Sequence, residues 1–316
     1  MILIQSHLGD LHTRRVLEAL QRCDARVFVF DNARFPDGLG LSVRNGADGG
    51  LATTLHDPAG GDLDLRRVRV IWLRRPQPLH ISPSIRDIED RRFTLNEASE
   101  ALNGLWEILD AFWVNSPARD QAAHRKLLQL QVAEAVGLPC PRTLVTSNPD
   151  EARAFISKNS PSATVYKAFS ATPARWRETR IIQPEELGRL DSVRHCPVIF
   201  QEFVPAVCDL RVTVVGDELF VGEVRSPEGG YAYDYRMDLD AAVISKGKLL
   251  PETEAKLRVL MSRLGLVYGA IDLRRTPDGA EVFLEINPAG QWLFVEDKTG
   301  LPITEALASL LAGRSR

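Results

Sequence analysis

The stretch LEINPAGQW (284–292) ends an apolar run on a carboxylate, Glu285, and a side-chain amide, Asn287, with one residue between them. Side chains alternate along a strand, so Glu285 and Asn287 share one face while Leu284 and Ile286 share the other. Upstream, Ile271 and Leu273 flank Asp272, and the segment YGAIDLRRTPDGAEVFLEIN reads as a hairpin turning at Pro277-Asp278-Gly279. Sending both apolar sets into one core predicts a register that places Asp272 beside Glu285 and Asn287. Three oxygen donors from two strands suit a hard divalent cation. Magnesium held by so few protein ligands usually completes its shell with nucleotide phosphates. Spacing alone does not separate this reading from the polar outer face of an ordinary hairpin.

Other residues supply charge of the kind such a site needs. Lys126 and Lys167 lie on separate elements, the second inside the apolar run ATVYKAF, and a lysine is a compact charge for phosphate. Arg211 and Arg236 offer the planar fork that binds phosphate or carboxylate in two places. Either lysine taken alone is more often a solvated surface charge. In SHLGDLH, His7, Asp10 and His12 read as a polar turn, a cleft lining or a metal site. Arg74 and Arg75 end the run VRVIWL, where an open α/β sheet commonly binds ligands, and a solvated pair is the equal alternative. Trp292 and Phe294 read as packing residues.

The elements that position these residues follow from periodicity. MILIQS, HTRRVLEALQR and ARVFVFD give a β-α-β start, and residues 37 to 62, rich in Gly and Asp, read as a low-order stretch before RVRVIWLRRP. Asp87 to Ala111 is helical in pattern, FWVNSP follows as a strand and turn, and a single helix is predicted from Ala118 to Val136. Gly137 and the prolines at 139 and 141 stop that helix. DEARAFI reads as a helix, CPVIFQEFVP as a strand, LRVTVVGDELFVGEVRS as a hairpin about Gly216-Asp217, and ETEAKLRVLMSRLGL as an amphipathic helix. Division is expected into residues 1–116, 117–200 and 201–316.

With 316 residues, 44% hydrophobic and 26% charged, and a net charge of -3, the composition is that of a folded protein with a substantial core. The charge gives no general attraction to nucleic acid, and no apolar run approaches a membrane span. Cys23, Cys140, Cys196 and Cys208 lack metal-ligand spacing and read mostly as buried thiols. The N-terminal apolar run is too short for a signal-peptide core, so a reducing cytoplasm is the expected location.

Taken in order, the lysine helix, the lysine strand, QEFV, CDLRVTVVG, AIDL and LEINPAGQW resemble the ATP-grasp superfamily. VIWLRRP, FWVNSP and the tail EINPAGQWLFVEDKTGLPI resemble its peptide macrocyclases of the microviridin, or graspetide, type. The resemblance implies an α/β fold with α+β subdomains: an N-terminal pre-ATP-grasp domain, a central lid domain and a C-terminal domain for ATP and Mg2+. It implies that Lys126 and Lys167 touch ATP phosphates, that Gln201, Glu202 and Val204 border the adenine, and that Asp209 lies toward the ribose. Arg211 is implied beside the reacting phosphate, and Arg236 at the subgroup's Asp-Trp-Arg position, where Tyr235 replaces the tryptophan. Asp272, Glu285 and Asn287 are the implied magnesium ligands. The lid segment FSATPARWRETRII lacks the usual glycines, which shifts phosphate contacts toward Thr172, Arg175 or Arg177. The implied activity is ATP-dependent ligation through an acyl phosphate, crosslinking Asp or Glu side chains of a precursor peptide to Ser, Thr or Lys. The implied partners are a peptide with a leader and an acidic core, and a second copy of the chain. Addition of a free amino acid to a small acid or protein terminus, and a catalytically silent ATP- or peptide-binding module, are the alternatives.

Overall fold

The β-α-β start read from the first thirty residues is present and belongs to a parallel sheet. The computed structural model describes residues 1–45, 50–160, 163–169, 179–226 and 241–315. It separates into two compact units, one of residues 1–120, 266–268 and 302–316, the other of residues 121–265 and 269–301.

In the first unit the elements are β1 (Ile2–Gln5), α1 (Leu11–Arg22), β2 (Val27–Phe30), β3 (Gly40–Asn45), β4 (Leu51–Asp57), β5 (Gly61–Asp64), β6 (Val70–Leu73), α2 (Ile88–Ile108) and β7 (Phe112–Val114). Strands β2-β1-β6-β7 make a four-stranded sheet, parallel throughout. Leu3 and Ile71 on one face join Phe30, Leu102, Leu105 and Trp106 in a core. Asp87 caps α2, accepting from the N–H groups of Glu89 and Asp90. The stretch expected to be of low order is an antiparallel three-stranded sheet, β3-β4-β5. Between β4 and β5, Asp57 accepts from Ala59 N–H at 3.0 Å, and Gly61 takes φ +83°. Thr53, Leu55 and Asp57 are buried at alternate positions, the period that composition concealed.

The second unit begins within α3 (Pro117–Ala123) and continues through α4 (Lys126–Ala135), β8 (Thr143–Thr146), α5 (Pro149–Asn159), β9 (Thr164–Lys167), β10 (Arg180–Ile181), β11 (Val198–Glu202), β12 (Cys208–Val215), β13 (Glu218–Arg225), β14 (Val243–Lys246), α6 (Pro251–Leu264), β15 (Tyr268–Arg275), β16 (Glu281–Asn287) and α7 (Leu293–Thr299). The last helix, α8 (Ile303–Ser315), returns to the first unit and packs on α1, β1 and β6. An antiparallel sheet of order β10-β9-β11-β8 is covered on one face by α5 and a 3-10 segment over Pro184–His195, around Ile156, Leu190 and Phe200. A five-stranded sheet, β14-β13-β12-β15-β16, carries most of the candidate site.

The helix expected over 118–136 is two helices broken at His124 and Arg125. The carbonyl of Ala123 freed by that break accepts from the buried side chain of Gln129 at 2.6 Å, which satisfies it without water. Two of the four thiols also depart from expectation: Cys23 and Cys196 are exposed, Cys140 is half-buried and Cys208 buried. Burial pushes the Cys140 thiol up to about 11, so it is protonated at neutral pH.

Candidate active site

The register that hydrophobic burial dictates is present: Ile271 lies opposite Ile286, Asp272 opposite Glu285, and Ala270 opposite Asn287. Directly opposed residues share a face, so Asp272, Glu285 and Asn287 do so here. One further feature makes this possible. Leu273 lies opposite Phe283, which leaves Leu284 as an extra residue, a β-bulge. Under strict alternation Phe283 would lie on the Glu285 side; the bulge returns it to the core face with Ile286, where both are buried.

Among the described residues β16 is an edge strand, with a strand partner on one side only. Gln129 on α4 serves the other side. Its Oε1 accepts from Ile286 N–H at 3.0 Å, and its Nε2 donates to Ile286 C=O at 2.8 Å. The side-chain amide thus substitutes for a neighbouring peptide and fixes α4 against the carboxylate-bearing strand. One turn earlier on α4, Lys126 Nζ donates to Glu285 Oε2 at 2.6 Å. Gln129 was not singled out in the sequence, although a glutamine three positions after the key lysine, on the helix's inner face, is the available signal.

Arg211 on β12 donates from Nη1 to Asp272 Oδ1 at 2.9 Å and from Nη2 to the carbonyl of Gln291 at 2.8 Å, with the Phe294 ring centroid 5.8 Å away. Gly290 permits this approach: a Cβ there would lie 2.3 Å from Ala270 Cβ and 2.8 Å from Arg211 Nη2. Asn287 Oδ1 accepts from Ala289 N–H at 3.0 Å, which holds the turn that follows the strand. Trp292 is fully buried, as its reading as a packing residue expects.

The remaining predicted residues lie around the β11 end. Lys167 and Gln201 project from the face of β9 and β11 opposite the Ile156 core, since Lys167 pairs with Ile199 and Gln201 with Val165. Gln201 is buried and donates to Thr143 Oγ1 at 2.9 Å. Glu202 turns its carboxylate onto Arg142, with Nε at 2.9 Å and Nη2 at 3.3 Å, and this hydrogen-bonded guanidinium holds the acid below its ordinary range. The carbonyl of Val204 and the carboxylate of Asp209 both accept from Arg274, a residue the sequence reading passed over. Arg236 and Tyr235, and the lid residues Thr172, Arg175 and Arg177, lie outside the described residues.

In the first unit, Asp10 caps α1 by accepting from Thr13 N–H at 2.8 Å, and Arg74 Nε lies 3.5 Å from Asp10 Oδ1. Arg74 is 1% exposed, so it is not a solvated charge, whereas Arg75 is exposed. Among the described residues no group of three or more His, Cys, Asp or Glu gathers as a metal site. The donor set of Asp272, Glu285 and Asn287 is two carboxylates and an amide, all oxygen, which fits magnesium rather than a softer metal.

A lysine helix, a lysine strand, a carboxylate hairpin and an N-terminal parallel sheet define the ATP-grasp fold. Residues 1–121 match the family model described as the MvdD pre-ATP grasp domain, and residues 122–311 match the RimK-like ATP-grasp domain. The chain belongs to the RimK-like ATP-grasp family. Among solved structures it is similar to macrocyclase MdnC bound with precursor peptide MdnA from Microcystis aeruginosa MRC, with a TM-score of 0.87 and 30% identity over 99% of both chains. It is also similar to the Chryseobacterium gregarium RiPP-associated ATP-grasp ligase in complex with ADP and a leader and core peptide, with a TM-score of 0.89 and 27% identity over 99% of this chain and 96% of that one. Among curated proteins, the ribosomal protein bS6–L-glutamate ligase of Escherichia coli O7:K1 is 25% identical over 63% of this chain, and the match spans 66% of that relative, just under two thirds. Among the described residues no helix is long and apolar enough to cross a membrane.

Proposed function

We propose that this chain is an ATP-dependent ligase that forms ester or amide crosslinks between side chains of a peptide. The observation that carries this reading is the whole-chain likeness to MdnC, including the pre-ATP-grasp unit, whereas likeness to the glutamate ligase covers only 63% of the chain. A substrate carboxylate oxygen attacks the γ-phosphorus of ATP, ADP leaves, and the carboxylate becomes an acyl phosphate. A hydroxyl or amine of the same peptide then attacks the acyl carbon, phosphate leaves, and the nucleophile's proton passes to solvent.

Asp272, Glu285 and Asn287 would hold magnesium, which when bound offsets charge on the phosphate oxygens. Lys126, already beside Glu285, and Lys167 are placed to receive phosphates, with Arg211 at the reacting end. We assign Arg236 to the same end from its sequence alone. Gln201, Glu202 and Val204 border the adenine, and Asp209 lies toward the ribose. The division at 116 and 200 then separates a substrate-side domain, a domain carrying the lid, and the metal-bearing domain. We assign a precursor peptide with a leader and an acidic core as substrate, a homodimer as the assembly and the cytoplasm as location. The second reading, addition of free glutamate to a protein or small acid, is favoured by the curated relatives.

The test is incubation with Mg-ATP and the short acidic peptides encoded beside the gene, reading intact peptide mass and ADP together. The expected result is loss of one water and release of one ADP per bond, absent in Glu285→Gln. A mass gain of one glutamate residue would transfer the assignment to the second reading. Absence of ADP release with every such peptide would overturn the ligase assignment.

A further inference from the structure

Arg274 is a buried guanidinium, 5% exposed, on the same sheet face as the carboxylate set but at the far end of β15. Removing a guanidinium from water is costly unless its donors are matched. Here the matching groups come from two different segments. Nε donates to Asp209 Oδ1 on β12 at 2.9 Å, and Nη1 donates to the carbonyl of Val204 at 2.8 Å. The guanidinium carbon also lies 5.3 Å from the centroid of the Phe203 ring. Residues 203–207 form the irregular connection from β11 to β12, and Pro205, Ala206 and Val207 are exposed. The ends of this connection are tied by backbone bonds, Phe203 N–H to Ala163 C=O and Val207 N–H to Arg275 C=O, both at 2.8 Å.

We infer that Arg274 is a positioning residue for adenine recognition. It acts through the segment Glu202–Val204 and is not a partner of the phosphates. This inference rests on the reading of Gln201, Glu202 and Val204 as the adenine border. The carbonyl of Val204, turned onto Arg274, and the ring of Phe203, stacked beside it, set the orientation of the peptide planes that the base would meet. Asp209 neutralises the buried cation and holds it there. The arrangement repeats the contacts of Arg211, which likewise joins a carboxylate on the neighbouring strand, a loop carbonyl and an aromatic ring. Each guanidinium therefore fixes one loop, Arg211 the turn after the metal strand and Arg274 the turn before β12.

The test compares binding of Mg-ATP with binding of Mg-tripolyphosphate by titration calorimetry, in the wild type, Arg274→Met and Arg274→Lys, with thermal melting as a check on folding. Tripolyphosphate carries the phosphate interactions without a base. Loss of a charge-assisted contact that orients the base should weaken ATP about tenfold in Arg274→Met, while tripolyphosphate changes by less than about twofold. Arg274→Lys keeps a cation beside Asp209 without the fork, so it should fold as the wild type does and show the same selective loss at smaller size. Equal weakening of both ligands, or unchanged ATP binding in the two variants, overturns the inference. A wild type that binds neither ligand overturns the ATP reading itself, and the inference with it.

Discussion

Two arginine–aspartate pairs bridge β12 and β15, and they run in opposite directions. Toward one end Arg211 is on β12 and Asp272 on β15; toward the other Asp209 is on β12 and Arg274 on β15. Burial is nearly the same, with side-chain exposures of 7% and 10% in the first pair and 6% and 15% in the second. The difference lies in what stands beside each pair. Asp272 is opposite Glu285, itself bound to Lys126, so the first pair belongs to a concentration of charge suited to phosphates and a cation. The second pair shares with the first a loop carbonyl and a phenyl ring, but its arginine faces the connection that leaves β11. Similar bonds thus hold a loop at each end, and what differs is the neighbourhood: a second carboxylate with its lysine at one end, the β11–β12 connection at the other.

The largest expected effect separates the two ends. Arg211→Met should lower turnover by on the order of 100-fold while leaving ATP affinity within about threefold, the pattern of a group that acts on charge developing in the transition state. Steady-state ADP release and calorimetry read both numbers. An affinity loss matching the rate loss would show that Arg211 acts through ligand binding alone, as Arg274 does, and end the distinction.

Gly290→Ala sharpens the same end from the loop side. The added methyl meets Ala270 and Arg211 at 2.3 and 2.8 Å, so the turn or the guanidinium must move. The expected stability cost is about 1–3 kcal/mol by denaturant unfolding, together with a rate loss that resembles Arg211→Met. Normal turnover in this variant would show that the Arg211–Gln291 contact is dispensable.

Gln129→Leu removes three buried hydrogen bonds, to Ala123 C=O and to both polar groups of Ile286. Leaving those backbone groups unmatched should cost about 1–3 kcal/mol and raise the magnesium concentration needed for half-maximal activity, since Lys126 and Glu285 then lose their common frame. A melting temperature equal to wild type would contradict that role.

Arg142→Ala should do least. The side chains of Arg142 and Glu202 are 54% and 36% exposed, so solvent screening keeps the loss small. The sign follows from the lowered pKa of Glu202: the pair stabilises the fold above the unfolded glutamate range and loses that contribution as pH falls through the folded value. Wild type and variant should therefore converge in stability as acid protonates Glu202 in the folded state, as urea titrations at several pH values would show.

Much of the site was legible because its signals are local. The alternation of Ile271, Asp272, Leu273 and of Glu285, Ile286, Asn287 was enough to set which residues face one another, since burial of apolar groups admits only one register. The hairpins about Gly216 and Gly279 were legible too, because both glycines take positive φ, which other residues resist. The three-stranded sheet over 40–64 was missed because Gly and Asp, residues typical of turns, dominate the composition of a short segment.

What the sequence determined by itself was therefore the β-α-β start, the hairpins about Gly216 and Gly279, the pairing of Asp272 with Glu285 and the oxygen donors that Asp272, Glu285 and Asn287 bring to one face. Only the tertiary structure decided that Leu284 bulges out of register, that Gln129 closes the open edge of β16, and that Arg274 reaches Val204 and Asp209. The physical reason is range. Periodicity reports which way neighbouring side chains point. The Arg274 contacts join residues 65 and 70 positions apart, and the Gln129 contact to Ile286 joins residues 157 apart, so they exist only once the strand order is set.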